Sequence, residues 1–413
     1  MVIQFLLQLP QHKKKSIAIW IPSETWIGFP FRVQSKAFRT PVDTCVQTLW
    51  PEPPSVRPRL RQIKTAQLRD VVLVRPAPAY HVRRSTWTDT PLPPDEPLGT
   101  NPPAGAVIDF FLPHDAKGPV TLEVLDSKRE LVRRFRSDDP LEPSSEELAR
   151  ELIPRYWIAL PHALPARSGM HRWIWDLRYA APLTTTRGYP ISAVPHATPR
   201  TPEGPVAVPG SYIVRLTVDG HSLEAPLTLA PDPRVRLPAS ALEDQLRLAR
   251  KLADQLSAAS HALLMATSER EQLKTLAPAA STAEAVGGYA ARLSALLDTA
   301  ESPEHHDAAQ EKKEAAPSKE DGQSEVVTQP TLPDVQKNLD TLYTEVTRAD
   351  AAPTGAQLKA SEAAQEALSG LLRAWQQLQA DLPALNAYLR AHNLSQIRAD
   401  LPPPRDLNAA DEE

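Results

Sequence analysis

The sequence predicts an α+β chain in which an antiparallel immunoglobulin- or fibronectin-like β-sandwich is followed by an α-helical bundle. Three observations carry that expectation. Proline is about twice its usual share, at 44 of 413 residues, and 34 of the 44 fall in residues 1–238. Within that half, short runs alternate apolar and polar side chains, and an Asp219-Gly220 pair joins two of them. After Pro238 the apolar period changes to that of a helix.

Ala106–Leu112 (AVIDFFL) reads as the opening strand. In Pro119–Asp126, Val120, Leu122 and Val124 face one way and Thr121 and Glu123 the other. A turn at Asp126–Glu130 returns the chain as Leu131–Arg136, with Leu131, Arg133 and Phe135 on one face. Gly169–Tyr179 alternates as well, gathering Trp173, Trp175, Leu177 and Tyr179 on one side. Tyr212–Val218 and Ser222–Leu229 flank the Asp-Gly turn, the strongest short-range hairpin signal. Val71–Arg75 is a further short strand that runs into a proline-punctuated turn. Two interruptions are expected. Ser144–Leu152 is a short helix capped by Ser144 or Ser145, and Thr184–Pro209 is a long Pro-rich loop.

In the helical half, Ser240 and Glu243 have capping-box spacing ahead of a long helix. Leu242, Leu246, Ala249, Ala253, Leu256 and Leu263 recur at spacings of four and three, with Ser260 the one polar slot. A second helix from Ser281 or Glu284 carries Val286, Tyr289, Leu293 and Leu296. Helices resume at Val335–Val346 and from Thr354/Gln357 through Leu378, and a last short one follows Asp381–Pro383. Antiparallel packing buries such stripes. The expected organisation is a poorly ordered leader (1–65), a Pro-rich extended segment (66–105), the sandwich (106–235), a helical hairpin (239–300), a disordered charged linker (301–330), further helices (331–400) and a disordered tail (401–413).

Composition narrows the function. A formal net charge of −4 gives no global positive field for nucleic acid, and no apolar run is long enough to span a bilayer. The single cysteine, Cys45, forms no internal disulfide and builds no cysteine-rich zinc module. In MVIQFLLQLPQHKKK the charges follow the apolar stretch, the reverse of a secretory signal. GxSxG, HExxH, P-loop and GxGxxG patterns are all missing, so no motif points to an enzyme class, a metal or a cofactor.

Each remaining candidate has a plainer reading beside it. Trp173, Trp175 and Tyr179 have the flat faces that stack on sugars, but period-two aromatics on a strand more often fill a sandwich core. Asp176 and Arg178 read as a solvated face, Arg133, Arg134 and Arg136 as edge or surface charge. His171 and His196 are lone histidines, and His305-His306-Asp307 lies in the charged linker. Asp109, Glu123 and Asp176 are the sandwich carboxylates that glycoside chemistry would have to bring face to face.

Several stretches carry a family resemblance: RPAPAYHVR (75–83), TDTPLPPDEPLGTNPPAGAVIDFFL (88–112), GPVTLEVLD (118–126), GMHRWIWDLRY (169–179), YPISAVPH (189–196) and PGSYIVRLTVDG (209–220). Together they resemble the C-terminal region of large bacterial exported proteins described as glycosyl hydrolases with bacterial neuraminidase repeats, in which a sortilin-like or xyloglucanase-like β-propeller precedes this region. The resemblance covers roughly residues 68–300 and implies export to the periplasm or beyond. The propeller's Asp-box turns (Ser-x-Asp-x-Gly-x-Thr-Trp) are not found, and RSTWTDT (84–90) is only an echo of one. No catalytic residue of the family therefore transfers to this sequence. The expectation is a truncated or frame-shifted product with an unrelated leader.

Three functions follow as expectations. The first is a non-catalytic accessory and assembly region that meets a propeller domain or another protein through the Pro-rich segment and the helices. The second is a glycoside hydrolase. The third is a carbohydrate- or protein-binding module using the aromatic stripe or the 184–209 loop.

Overall fold

The computed structural model describes residues 2–4, 18–20, 69–83, 103–190, 196–280, 284–298 and 330–399. Met1–Pro53 and Pro54–Glu413 are separate compact units. In the first, β1 (Val2–Gln4) pairs antiparallel with β2 (Ala18–Trp20), so these two segments of the expected leader form a two-stranded sheet. The rest of the expected leader, most of the Pro-rich 66–105 segment, the 301–330 linker (all but Pro330) and the 401–413 tail lie outside the described residues.

The second unit is α+β, with two sheets followed by a helical region. Its strands are β3 (Val72–Leu73), β4 (Ala79–His81), β5 (Ala106–Leu112), β6 (Thr121–Leu125), β7 (Leu131–Arg136), β8 (Gly169–Trp175), β9 (Gly210–Val218) and β10 (His221–Pro231). One sheet has the order β4-β10-β9-β6-β7 and the other β3-β5-β8. The hairpin at Asp219-Gly220 forms as expected. Both residues take positive φ (49° and 79°), and Val218 pairs with His221 across the two-residue turn.

Alternation along the strands puts Ile108 and Phe110 of β5, Leu122 and Val124 of β6, Trp173 and Trp175 of β8, Val214 and Leu216 of β9, and Leu227 and Leu229 of β10 into one shared core. The expected all-antiparallel pairing is corrected at one edge. Ala79–His81, read as part of a turn, is a strand that pairs parallel with Leu229–Pro231 of β10. No short hairpin joins these two strands, so turn geometry does not dictate their direction.

The short helix α1 (Ser145–Arg150) has the full capping box, with Ser144 accepting from the Glu147 amide and Glu147 accepting from the Ser144 amide. The helical region comprises α2 (Ala239–Ala280), α3 (Glu284–Leu297), α4 (Leu332–Thr347) and α5 (Gly355–Ala391). The long helices α2 and α5 run past two apolar clusters. One is completed by Val335, Leu339, Tyr343 and Val346 of α4, the other by Val286, Tyr289, Leu293 and Leu296 of α3.

Three helical expectations are corrected. Because α2 starts at Ala239, Ser240 lies inside its first turn and does not cap it. Its buried surface is also broader than the expected stripe, since Leu248 and Leu252 are buried too. Finally, α5 runs unbroken through Pro383, where a break and a new helix were expected. Leu382, Leu385 and Leu389 are buried around that point, and their packing outweighs the backbone hydrogen bond that proline removes.

Candidate functional site

Several buried polar groups of the Pro54–Glu413 unit lie at the seam between its β half and its helices. Three segments of the β half reach it. β4 ends at His81 and leads into Val82-Arg83, the chain after β8 runs back as the Pro-rich loop, and β10 is followed by Asp232 and Arg234. From the helical side come α2, α4 and the short connection that holds Asp350.

The His81 ring is 4% exposed. Its Nδ1 lies 2.8 Å from the Ala207 carbonyl oxygen and its Nε2 lies 3.2 Å from Asp350 Oδ2. Arg83 donates from Nε to Asp350 Oδ1 and from a terminal nitrogen to the Thr347 carbonyl at 2.6 Å. Burial pushes the Asp350 carboxyl up, but the hydrogen bonds from His81 and Arg83 and their charges outweigh it, leaving the group below its ordinary value. On α2, Gln245 donates to the Val346 carbonyl at 2.7 Å and so closes the C-terminal end of α4. The cleft among His81, Arg83, Gln245, Thr347 and Asp350 has about 10 Å³ of open space, room for one water and not for an organic ligand.

The Pro-rich loop continues the seam. Tyr343 of α4 donates its hydroxyl to the Glu203 carbonyl, Gln336 donates to Thr184 at 3.1 Å, and Ser257 of α2 accepts from the Leu183 amide at 3.0 Å. Arg178 binds the Glu203 carboxylate at 2.9 Å and the Gly204 carbonyl at 2.9 Å. Gly204 is required for close approach, since a Cβ there would sit 2.0 Å from the Tyr179 carbonyl oxygen.

The aromatic stripe is corrected. Trp175 is fully buried, packs edge-on to Tyr212 and donates its indole N–H to the Arg178 carbonyl at 2.9 Å. Trp173 is 5% exposed and lies against Phe135 and His162. The regular alternation also ends early, because β8 stops at Trp175 and Leu177 takes a positive φ of 64°. Tyr179, half-buried, has the Arg250 guanidinium over its ring at 4.9 Å. The two indoles and the phenol ring are spent on the core and the seam, so the stripe offers no sugar platform.

The carboxylates separate as well. Asp109 lies between the inward-facing Ile108 and Phe110 of β5, and Glu123 lies between Leu122 and Val124 of β6, so they point out of opposite sides of the shared core. Arg172 grips Asp109 through two nitrogens at 2.7 and 3.2 Å, and Arg215 lies 3.3 Å from Glu123. Two expectations about exposed charge are also corrected. Arg134 is 5% exposed, and Arg178 turns inward to Glu203 and so is no part of a solvated face. His171 binds the Arg167 carbonyl beside Phe110, and His196 packs on Tyr156, so both histidines are structural. His305-His306-Asp307 lies outside the described residues. Among the described residues no group of three His, Cys, Asp or Glu is placed to hold a metal, and no helix is long and apolar enough to cross a membrane.

A second buried polar group lies inside the bundle. Glu269 of α2, fully buried, accepts from the Tyr289 hydroxyl at 2.7 Å and from Gln379 Nε2 at 2.8 Å. Burial pushes its carboxyl above the ordinary value, and the two hydrogen bonds only partly offset this.

Sequence reasoning missed His81, Arg83, Gln245, Gln336, Tyr343 and Asp350 as one constellation. The two glutamines carried a signal, since each sits at a helical position whose neighbours one turn away are apolar (Leu242, Leu248 and Ala249; Leu332 and Leu339). A polar side chain on such a face needs a buried partner. Comparison of the chain with protein-family models, curated proteins and solved structures finds no match.

Proposed function

We propose that this chain is a non-catalytic accessory and assembly region of the kind found after the propeller in glycosyl-hydrolase-like exported proteins with bacterial neuraminidase repeats. The observation that carries this reading is the use made of the polar groups at the seam. His81 and Arg83 bind Asp350, Gln336 binds Thr184 and Tyr343 binds the Glu203 carbonyl, which holds the β half to the helices, while Arg178 braces the Pro-rich loop and Gln245 joins α2 to the end of α4. Such an arrangement suits a spacer that presents attached parts at a constant angle. We read the two sheets as an immunoglobulin-like sandwich, because the inner faces of both build one core. The parallel β4 is an addition at its edge. The partner on this reading is a propeller domain or another protein. The segment between β7 and β8 suits protein contact, since it exposes Leu141, Leu152, Tyr156 and Leu160.

The test is turnover by the purified chain on a panel of aryl glycosides and oligosaccharides. The accessory reading expects none above a no-protein control. Turnover that copurifies with the chain and disappears in Asp109→Asn or Glu123→Gln variants that stay folded would overturn it in favour of a hydrolase.

A further inference from the structure

Two short runs of the Pro-rich loop, 187–189 and 198–201, lie side by side. Gly188 and Thr201 form an antiparallel bridge and exchange both backbone hydrogen bonds, at 3.2 and 2.8 Å. Beside such a pair, the next two residues stand opposite each other with their side chains on one face, about 5 Å apart at Cβ. Those residues are Tyr189 and Arg200. Arg187 is two positions from Tyr189 and Thr198 two positions from Arg200, so the alternation of extended chain brings both to the same face. Two guanidiniums, a phenol and a hydroxyl are gathered there.

The contacts these groups make within the chain do not use them up. A terminal nitrogen of Arg200 binds Glu147 of α1 at 3.2 Å, and Arg187 donates to the Pro182 carbonyl at 2.8 Å. Arg200 Nε, the Tyr189 hydroxyl and the Thr198 hydroxyl are shut off from solvent and have no hydrogen-bond partner, and Thr198 as a whole is 1% exposed. A guanidinium N–H can only donate and both hydroxyls can donate, so what this face lacks is an acceptor. Buried polar groups are ordinarily paired, and here the protein supplies no pair. We propose that this face of the loop binds a small oxyanion, the carboxylate or phosphate group of a ligand, through Arg187, Tyr189, Thr198 and Arg200. Among the described residues Glu147 is the one carboxylate bonded to either arginine, which leaves the second guanidinium for the ligand. Arg187, Tyr189 and Arg200 are partly exposed and give it access. Glu142 and Glu147 act on Arg187, and Glu151 on Tyr189, and all three oppose an anion. Hydrogen bonding, more than net charge, therefore holds the ligand.

Arginine Nε–H correlation spectra of the full chain read the site directly. The chain is titrated at about pH 7 with sodium phosphate and, separately, with sodium acetate, each against sodium chloride at equal ionic strength. The Arg187 and Arg200 signals are assigned by their loss in Arg187→Lys and Arg200→Lys. The expected result is a saturable shift of the Arg200 Nε–H signal with phosphate or acetate, because that donor gains its acceptor, and no saturation with chloride. The salt that saturates at the lower concentration tells whether phosphate or carboxylate is the preferred group. Tyr189→Phe should weaken binding about tenfold, through the loss of one hydrogen bond to a charged group. This variant removes an oxygen that has no partner in the chain, so it keeps the fold and the test stays decisive even where an arginine variant does not fold. The proposal fails, and any binding is that of an adventitious ion only, if neither salt saturates the signal, if chloride acts alike, or if Tyr189→Phe binds as the parent chain does.

Discussion

Glu269 shows how much one side chain can carry in the bundle. Its carboxyl lies among α2, α3 and α5 and has a phenol and an amide as partners, with no arginine or lysine bonded to it among the described residues. Because burial raises its proton affinity above that of an unfolded chain, the native state binds the proton more tightly. The stability linked to this group is full below the ordinary carboxyl value near 4.5 and is lost as pH rises through the higher folded value. Glu269→Gln keeps the shape and removes the charge. It should raise the urea midpoint at pH 8 and leave it nearly unchanged at pH 4; equal effects at both would show that the charge is not what matters. Few of these residue-scale facts were legible beforehand. Alternation put Trp173 and Trp175 on one face, and that face could belong to a core or to a ligand. Only the second sheet, which brings Tyr212 against Trp175, decides between them. Glu269 gave no sign at all, because a lone acid in a helix is ordinary until three helices close around it.

At the scale of elements, strong local signals were matched and weak ones were overridden by packing. β5 and β7 take the expected bounds, and Ser144, one of the two expected caps, and Thr354 cap their helices with Glu147 and Gln357 as reciprocal partners. These features depend on neighbours three residues away or fewer, so sequence alone suffices to specify them. Pro383 is the counterexample. It is exposed on α5, flanked by buried Leu382 and Leu385, so the helix carries the lost backbone bond without needing the ring for packing. Pro383→Ala should therefore stabilise the chain by about 2 kcal/mol, the restored bond being offset in part by a more flexible unfolded state. Equilibrium urea unfolding checks this, and a destabilised variant would show that the ring packs against something. Strand β4 was missed for the opposite reason. Its three residues have no local signature and become a strand only because β10 offers an open edge.

At the scale of the molecule, the long Pro-rich loop is the joint. Loops of that length within a compact domain are functional or disordered. In this one the described part meets His81 of β4 and Arg178 on one side and helices α2 and α4 on the other. If the seam couples the halves, a lesion in the loop should be felt in both. Gly204→Ala forces a Cβ against the Tyr179 carbonyl and should cost about 2 kcal/mol. Native-state hydrogen exchange should show strands β9 and β10 and helices α2 and α4 losing protection together. Loss confined to the strands would mean the halves unfold independently.

By itself the sequence determined the α+β order of the chain, the Asp219-Gly220 hairpin, the short capped helix and the amphipathic stripes of the bundle. Each arises from periodicity or from contacts within a few residues. Tertiary structure alone decided that the aromatic stripe is core, that β4 runs parallel to β10, and that α5 passes through a proline. It also decided that His81, Arg83 and Asp350 meet across nearly 270 residues of chain, separated in sequence by 269 and 267 positions. The physical reason is common to all four. Burial, hydrogen-bond partners and charge are set by what lies across the fold, and no period or motif along the chain encodes which distant residue that will be.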